Sequence, residues 1–249
     1  MAPFFSIIVP TKDCFPTVQA TIQSIEMQTF RELEVIALDS YSVDGTRELL
    51  LSWAESSSLS VQAHTVPRRG VYAAMNEGIR RATGEYLLFV GGDDKLANGR
   101  VLEQTRRAIA NQSSNPAILI GNIRYSDGTR HESIWGWQLL LRNTAHHQGT
   151  FYSASVFDDR QYDEKLKILS DYKLNLELYR SRSNVAVASL TISICGNDGL
   201  SKQLVWRRMY EEWKIKYQIL GLRFFPWIFP VFLKQLAKLV DARVGTRLN

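Results

Sequence analysis

The chain has 249 residues, of which 45% are hydrophobic and 22% charged, and its formal net charge is +5. This balance fits one domain of the larger kind with a substantial hydrophobic core. Its two cysteines, Cys14 and Cys195, are too few for a disulfide framework, and the amino terminus shows no signal-peptide pattern. We therefore expect a protein of a reducing compartment.

Short apolar strands alternate with amphipathic helices along the first hundred residues. The expected strands are residues 4–9, 33–38, 61–66 and 86–90, and the expected helices are residues 16–28, 46–55 and 71–82. Such alternation predicts an α/β fold with a parallel sheet and right-handed crossovers.

Polar residues follow the tips of these strands. The fourth strand leads into two glycines and two adjacent carboxylates, Asp93 and Asp94. Thr11 follows the first strand and Asp39 the second, so these side chains are expected at the edge where open α/β sheets bind ligands. A Gly-Gly-Asp-Asp stretch is equally typical of an ordinary surface turn, and taken alone it supports both interpretations.

An acidic edge binds an anionic ligand when a cation bridges the two, or when the carboxylates accept hydrogen bonds from a base or ribose. Mg²⁺ and Mn²⁺ prefer oxygen ligands and usually bridge carboxylates to substrate phosphates. The pattern therefore indicates a nucleoside diphosphate with a divalent metal. The chain lacks a Gly-x-Gly-x-x-Gly fingerprint after its first strand and a Walker A loop, which argues against dinucleotide dehydrogenases and P-loop NTPases.

Several blocks of sequence, in order, resemble one enzyme family, the family-2 glycosyltransferases. The blocks are residues 6–11 (SIIVPT), 25–30 (IEMQTF), 39–46 (DSYSVDGT), 70–79 (GVYAAMNEGI) and 84–94 (GEYLLFVGGDD). Residues 146–152, 157–162, 170–172 and 196–201 continue the resemblance less sharply. It is strongest to members that build bacterial cell-surface polysaccharides, and it implies the GT-A fold: a Rossmann-like, mostly parallel sheet flanked by helices, here with a C-terminal helical extension.

The resemblance also implies a nucleotide pocket. In that pocket Pro10 and Thr11 line the base and ribose, and Asp39 accepts a hydrogen bond from the base, usually uracil. Arg69 stands where such enzymes often place a cation near the base or diphosphate. Asp93 approaches the ribose or the metal.

A metal site is implied beside this pocket, with Asp94 as the direct ligand of Mn²⁺ or Mg²⁺ and Asp93 close to it. Such an ion stabilises the charge that develops on a nucleoside diphosphate leaving group. His146 and His147 are candidates for a contact with the diphosphate or metal, since imidazole also binds such ions. Adjacent residues on a strand face opposite sides, so at most one is expected to face the site, and a structural histidine is the favoured alternative for each.

Asp171 matches the carboxylate that serves the family as general base. Inverting sugar transfer needs a base on the side of the sugar opposite the leaving group. The spacing of Leu174 and Leu178 predicts a helix over residues 169–179 with Asp171 in its first turn. A carboxylate at that position also simply complements the helix dipole, which is the alternative interpretation.

Three local features complete the domain. Residues 117–130 predict a β-hairpin around Asp127-Gly128, and residues 196–201 look like the family's loop that closes over the nucleotide. Asp44, in Asp-Gly-Thr before the second helix, is expected to be a turn and capping residue rather than a nucleotide ligand.

The C-terminal segment differs in composition. Residues 202–249 contain ten Lys or Arg against three Asp or Glu, and residues 206–220 predict a mixed basic helix. The uncharged run at residues 224–233 is too short to span a bilayer, which takes ~20 residues. A proline-interrupted aromatic run between cationic segments fits the membrane interface. Packing against the catalytic domain or a second subunit is the alternative.

We expect a GT-A domain over residues 1–203, with a nucleotide-sugar-binding half (1–95) and an acceptor-side half (96–203), followed by an interfacial extension (204–249). The expected function is inverting, metal-dependent transfer from a nucleotide sugar, most simply a UDP-sugar, to a lipid-linked or polysaccharide acceptor. The enzyme would be cytoplasmic and peripheral on the inner face of the cell membrane, with oligomerisation left open.

Three alternatives are weighed against this expectation. A catalytically inactive donor-binding or membrane-docking partner of a glycan-assembly complex remains the alternative function. A nucleotidyltransferase would need an activating Lys and a Gly-rich loop after the first strand, and neither is visible. Nucleic-acid binding is not expected, because the basic residues accompany aromatic ones in the tail.

Overall fold

The computed structural model describes residues 2–67, 69–196 and 204–221. The expected closing loop beyond Gly196 and the apolar run at residues 224–233 lie outside the described residues. The strands are β1 (Phe5–Thr11), β2 (Leu33–Asp39), β3 (Ser60–Thr65), β4 (Tyr86–Phe89), β5 (Lys95–Leu96), β6 (Ile118–Tyr125), β7 (Arg130–His131), β8 (Thr150–Ser153) and β9 (Val185–Cys195). The helices are α1 (Phe15–Glu26), α2 (Thr46–Ser56), α3 (Val71–Arg81), α4 (Val101–Ala110), α5 (Ser170–Arg180) and α6 (Val205–Leu220), with short 3₁₀ helices at Trp137–Leu140, His147–Gly149 and Ala154–Phe157.

One sheet joins all nine strands, in the order β3-β2-β1-β4-β8-β6-β9-β5, with β7 paired to β6. The pairs β3/β2, β2/β1 and β1/β4 are parallel, as the alternation of strands and helices predicts. The second half is mixed, because β8 enters antiparallel between β4 and β6 while β9 runs parallel to β6. The predicted α/β fold is confirmed, and β9 is a strand that local pattern did not predict.

Helices cover both faces of the sheet. On one face α1, α2 and α4 pack against alternate residues of β1 and β2 in a first core cluster that includes Val18, Leu50 and Leu102. On the other face α3 and α5 pack against the intervening residues, in a cluster that includes Met75 and Leu174. Because both faces are buried, the first strands are continuous apolar runs rather than alternating ones.

The first strand is longer than its sequence suggests. It was expected to stop at Pro10, but it runs through Pro10 to Thr11, which pairs with Asp39. The Ser40 N–H donates to Thr11 O, so the backbone polar groups of residue 11 point toward β2. The Pro10 nitrogen therefore points away from β2, toward the other neighbour of β1. There β1 pairs with β4 only as far as Ile8. Proline is tolerated at this position because no ladder hydrogen bond is lost.

The helix α6 lies against the second half of the domain. Its Ile215 is fully buried in a third cluster with Leu139, Leu166 and Tyr172. The predicted basic helix and the predicted hairpin of β6 and β7 are both confirmed. Among the described residues, no helix combines the length and the apolar character needed to cross a bilayer.

Candidate active site

Thr11 and Asp39 lie side by side at the carboxyl ends of β1 and β2. Both side chains are buried, and Thr11 Oγ1 lies 3.3 Å from Leu38 O and 3.5 Å from Asp39 Oδ1. The second carboxylate oxygen, Asp39 Oδ2, accepts the Ser42 backbone N–H at 2.9 Å. The parallel register of the two strands therefore holds these side chains at one end of the sheet, as the sequence predicted.

The loops after β1 and β2 are tied to each other. Asp44 Oδ2 accepts the Phe15 N–H at 2.9 Å, and Asp44 Oδ1 accepts the Thr46 N–H at 3.0 Å and hydroxyl at 2.6 Å. The Thr46 hydrogen bond is the main cause that lowers the pKa of Asp44. Asp44 is thus the turn residue that its sequence context predicts, and it anchors the starts of α1 and α2, although Cys14 and Gly45 occupy the N-cap positions.

Asp94 is buried beyond the end of β4, whereas Asp93 beside it is exposed. The Asp94 carboxylate accepts the N–H of Gly91 at 3.2 Å and of Gly196 at 3.3 Å. Burial, and then the charge of Asp93, raise the pKa of Asp94, while His147 opposes that rise. A buried carboxylate with long hydrogen bonds and an acidic neighbour is a place where a cation is favoured.

The residue types at this position fit a divalent cation. Among the described residues, no group of three or more His, Cys, Asp and Glu side chains has the arrangement of a metal cage. A metal at Asp94 would therefore complete its shell with Asp93, substrate phosphate oxygens and water. Mg²⁺ is usually held in this way, by one or two carboxylates plus substrate phosphates.

Gly92 brings this acidic loop against the loop after β1. A Cβ at residue 92 would lie 2.4 Å from Cys14 Sγ and 3.0 Å from Thr11 Cγ2. The Gly92 carbonyl accepts the Thr17 hydroxyl at 2.8 Å, which ties the loop to α1. Burial raises the pKa of Cys14 to about 11, so its thiol is protonated at neutral pH and packs as a small apolar side chain.

Asp171 is buried in the first turn of α5, and three side chains surround its carboxylate. Tyr72 Oη lies 3.2 Å from Oδ1, while Asn143 Nδ2 donates to Oδ2 at 3.1 Å. His147 Nδ1 lies 3.4 Å from the same Oδ2. Burial raises the pKa of Asp171, but the opposing causes, of which the hydrogen bond and charge of His147 are the largest, lower the net pKa. The carboxylate is therefore ionised at neutral pH and able to accept a proton.

The two histidines have different surroundings. They were expected on a strand, but His147 begins a 3₁₀ helix that precedes β8, so strand alternation does not apply to them. His147 faces Asp171, whereas the His146 ring packs edge-on against His131 with 4.5 Å between centroids. Burial and His131 lower the pKa of His146 to about 4, so this ring is neutral at physiological pH.

The remaining candidates, Pro10 and Arg69, are placed by their elements only. Pro10 is buried within β1, and Arg69 is exposed in the loop between β3 and α3. Tyr72 and Asn143, which contact Asp171, were not singled out from sequence. Tyr72 belongs to the Gly70–Ile79 block of the resemblance, but nothing in the local pattern around Asn143 marks it.

Comparison with known proteins gives a consistent result. Residues 6–160 match the family model described as glycosyl transferase family 2. A PGL/p-HBAD biosynthesis glycosyltransferase of Mycobacterium bovis (strain BCG) is 29% identical over 230 residues, which cover 89% of this chain and 88% of that protein.

Two solved structures show the same fold. S. aureus TarS residues 1–349 in complex with UDP-GlcNAc has a TM-score of 0.66 and 20% identity, covering 78% of this chain and 59% of that one. The mannosyltransferase PcManGT of Pyrobaculum calidifontis, in complex with GDP-Man and Mn²⁺, has a TM-score of 0.62 and 18% identity, covering 97% and 76%. With the expected GT-A architecture and a family match over more than half its length, the chain belongs to glycosyl transferase family 2 and is a glycosyltransferase.

Proposed function

We propose that this enzyme transfers a sugar, with inversion, from a UDP-sugar to a lipid-linked or polysaccharide acceptor in cell-surface glycan synthesis. One observation carries the proposal: His147, whose Nδ1 lies 3.4 Å from Asp171 Oδ2, begins a 3₁₀ helix that packs against β4, the strand that leads to Asp93 and Asp94. An acidic site suited to a metal and diphosphate would then lie near an ionised carboxylate on another element. Inverting transfer requires this pair of functions in one site.

The donor half of the proposal rests on the ends of β1, β2 and β4. Thr11 and Asp39 would hold the base and ribose through hydrogen bonds, with Pro10 beneath them and Arg69 at the rim. Asp94, with Asp93, would hold Mn²⁺ or Mg²⁺, which neutralises charge on the diphosphate when bound. The UDP-GlcNAc of TarS and the GDP-Man with Mn²⁺ of PcManGT support a nucleotide-sugar donor.

The acceptor half rests on Asp171. Its lowered pKa keeps the carboxylate ionised, so Asp171 would take the proton of the acceptor hydroxyl as that oxygen attacks the anomeric carbon. Asn143 would hold the carboxylate in orientation through its hydrogen bond, and Tyr72, which donates to Ile168 O, would fix the segment that precedes Asp171. His147, beside Asp171, would contact the diphosphate or the metal, whereas His146 packs on His131 and would have a structural role.

The first experiment is calorimetric titration of UDP and GDP into the protein, with and without Mn²⁺. We expect metal-dependent UDP binding that is lost in Asp94→Ala and retained in Asp171→Asn. Asp159→Ala is the matched control, because Asp159 is an exposed carboxylate paired with Arg160. A folded sample that binds neither nucleotide would overturn the donor-site assignment.

The second experiment tests catalysis and its stereochemistry. With a UDP-sugar panel and lipid-linked or glycan acceptors, Asp171→Asn should lower kcat by ~10²-fold or more, the range of general-base contributions. NMR of the initial product should show the anomeric configuration opposite to that of the donor. Donor binding with no turnover by the wild-type chain would favour an inactive donor-binding partner of a glycan-assembly complex.

We also propose a peripheral location on the inner face of the membrane. Tyr210 and Tyr217, 67% and 53% exposed, lie seven residues apart on the outer face of α6, next to a positively charged C-terminal segment. Exposed aromatic residues beside basic ones favour the interface of anionic bilayers. Cosedimentation with phosphatidylglycerol vesicles should exceed that with phosphatidylcholine and should fall in Tyr210→Ser/Tyr217→Ser. Equal recovery in both pellets would contradict this location.

A further inference from the structure

The helix α6 turns charged side chains toward the protein and aromatic ones outward. Glu211 and Lys216 are 2% and 3% exposed, although both lie on a helix that a simple amphipathic pattern would pack through apolar residues alone. Burying a charge is unfavourable unless it is paired and hydrogen-bonded. The partners of these two side chains therefore indicate what the helix does.

The Glu211 carboxylate accepts hydrogen bonds from three successive backbone N–H groups immediately before α5. Its Oε1 accepts Lys167 N–H at 2.7 Å, and its Oε2 accepts Ile168 N–H at 2.9 Å and Leu169 N–H at 3.2 Å. Arg207 Nε also donates to Oε1 at 3.0 Å. The carboxylate thus binds the segment that leads directly into the first turn of α5, where Asp171 lies two residues after Leu169.

The same segment is held on its other side by a residue that contacts Asp171. Tyr72 Oη donates to Ile168 O at 2.6 Å and lies 3.2 Å from Asp171 Oδ1. Glu211 therefore holds the N–H of Ile168 while Tyr72 holds its carbonyl. Since residue 168 is fixed by both groups, the start of α5 is constrained relative to α3 and α6 together.

Lys216 extends this arrangement to the second partner of Asp171. Its Nζ donates to Leu141 O at 2.7 Å and is paired with Glu212 on the same helix. Leu141 lies two residues before Asn143, whose amide donates to Asp171 Oδ2. The two buried charges of α6 thus reach both chain segments whose positions set the hydrogen bonds of Asp171.

We propose that α6 is a clamp for the catalytic carboxylate, with Glu211 and Lys216 as positioning residues that hold the segments carrying Asp171 and Asn143. The inference rests on the proposed function, because it assumes that Asp171 is the general base. It assigns a catalytic consequence to a helix that lies C-terminal to the segment matching the family model. Neither residue needs to touch a substrate, because each acts through Asp171 or its hydrogen-bond partner.

The test is a double-mutant cycle between Glu211→Gln and Asp171→Asn. Glutamine keeps the size of the side chain but replaces one acceptor oxygen with an N–H₂ donor that opposes the backbone N–H groups. In the wild-type background we expect kcat to fall by roughly 10- to 100-fold, the effect of a misplacement of about 1 Å, with an unchanged KM for the donor. In the Asp171→Asn background the same substitution should change the residual rate less than about twofold.

A structural control separates positioning from stability. Ile215→Val weakens the packing of α6 in its apolar cluster and leaves the Glu211 hydrogen bonds in place. If Ile215→Val lowers the melting temperature as much as Glu211→Gln does, it should still retain wild-type kcat. Glu211→Asp, which keeps the charge, should recover part of the rate lost in Glu211→Gln. If Glu211→Gln does not fold, Lys216→Gln replaces it in the same cycle, with a smaller expected loss.

Two sets of results would overturn the clamp. Wild-type kcat in folded Glu211→Gln would show that Glu211 contributes only to stability. If Ile215→Val lost as much kcat as Glu211→Gln at the same melting temperature, the same conclusion would follow. Equal rate losses in both Asp171 backgrounds would show that Glu211 does not act through Asp171. Failure of the wild-type protein to transfer sugar from any donor would instead refute the proposed function, and with it a catalytic role for the clamp.

Discussion

Replacement of Gly92 by alanine should disturb the acidic loop in a way that a second substitution relieves. The added Cβ would lie 2.4 Å from Cys14 Sγ, whereas non-bonded heavy atoms attract best at about 3.5–4.0 Å. The loop carrying Asp93 and Asp94 must therefore move by about 1 Å away from α1. Overpacking of this kind costs about 1–3 kcal/mol of unfolding free energy. A shift of about 1 Å at reacting groups lowers turnover by up to ~10²-fold.

Urea unfolding and donor titration of four proteins measure this effect: wild type, Gly92→Ala, Cys14→Ala and the double variant. Cys14→Ala removes the sulfur, so the double variant should recover most of the stability and of the Mn²⁺-dependent UDP binding lost in Gly92→Ala. Recovery should be incomplete, because the new Cβ still lies 3.0 Å from Thr11 Cγ2. Wild-type stability of Gly92→Ala, or additive losses in the double variant, would refute the packing argument.

Three further substitutions test the framework of the site. Gly78→Ala places a Cβ 2.4 Å from Ile8 Cγ2. The overpacking should cost about 1–3 kcal/mol of unfolding free energy, which exceeds the ~1 kcal/mol gained in helix propensity. A variant that is more stable than wild type in urea unfolding would contradict this. Asp44→Ala should lower the melting temperature at neutral pH. Because its Thr46 hydrogen bond depresses the folded-state pKa of Asp44, this difference should vanish as pH falls through that pKa, and a pH-independent difference would argue against it. Tyr72→Phe leaves a buried carbonyl unpaired and should lose about 1–3 kcal/mol in urea unfolding, whereas an unchanged free energy would show that water replaces the hydroxyl.

The proposed donor side was predictable from local pattern because it is built from strand ends. Thr11 and Asp39 follow apolar runs, and parallel strands bring their carboxyl ends to one edge, so their proximity follows from topology alone. The pattern missed the extension of β1 through Pro10. Proline is tolerated there because β4 no longer pairs with β1 beyond Ile8, and the sequence does not show where that pairing ends. The same pattern predicted that Asp44 is a turn residue, and its hydrogen bonds to the first residues of α1 and α2 agree with that prediction.

The proposed acceptor side was less accessible to prediction, since its contacts join segments far apart in the chain. Asp171 was singled out by resemblance, but its neighbours Tyr72 and Asn143 come from α3 and from a loop without regular periodicity. Strand alternation was applied to His146 and His147, yet a short 3₁₀ helix sets their directions. This turn packs against β4, β6 and β9, so its contacts are with segments that the local sequence does not reveal.

Periodicity and strand-end chemistry were thus sufficient for the α/β fold, the parallel half of the sheet and the positions of Asp39, Asp93 and Asp94. Each of these follows from interactions within a few residues or from the geometry of parallel strands. Glu211 is buried on the inner side of α6, where it contacts the segment before α5. These contacts join residues more than forty positions apart. Only the folded chain determines such contacts, because a helical pattern shows which residues share a face but not which surface that face will meet.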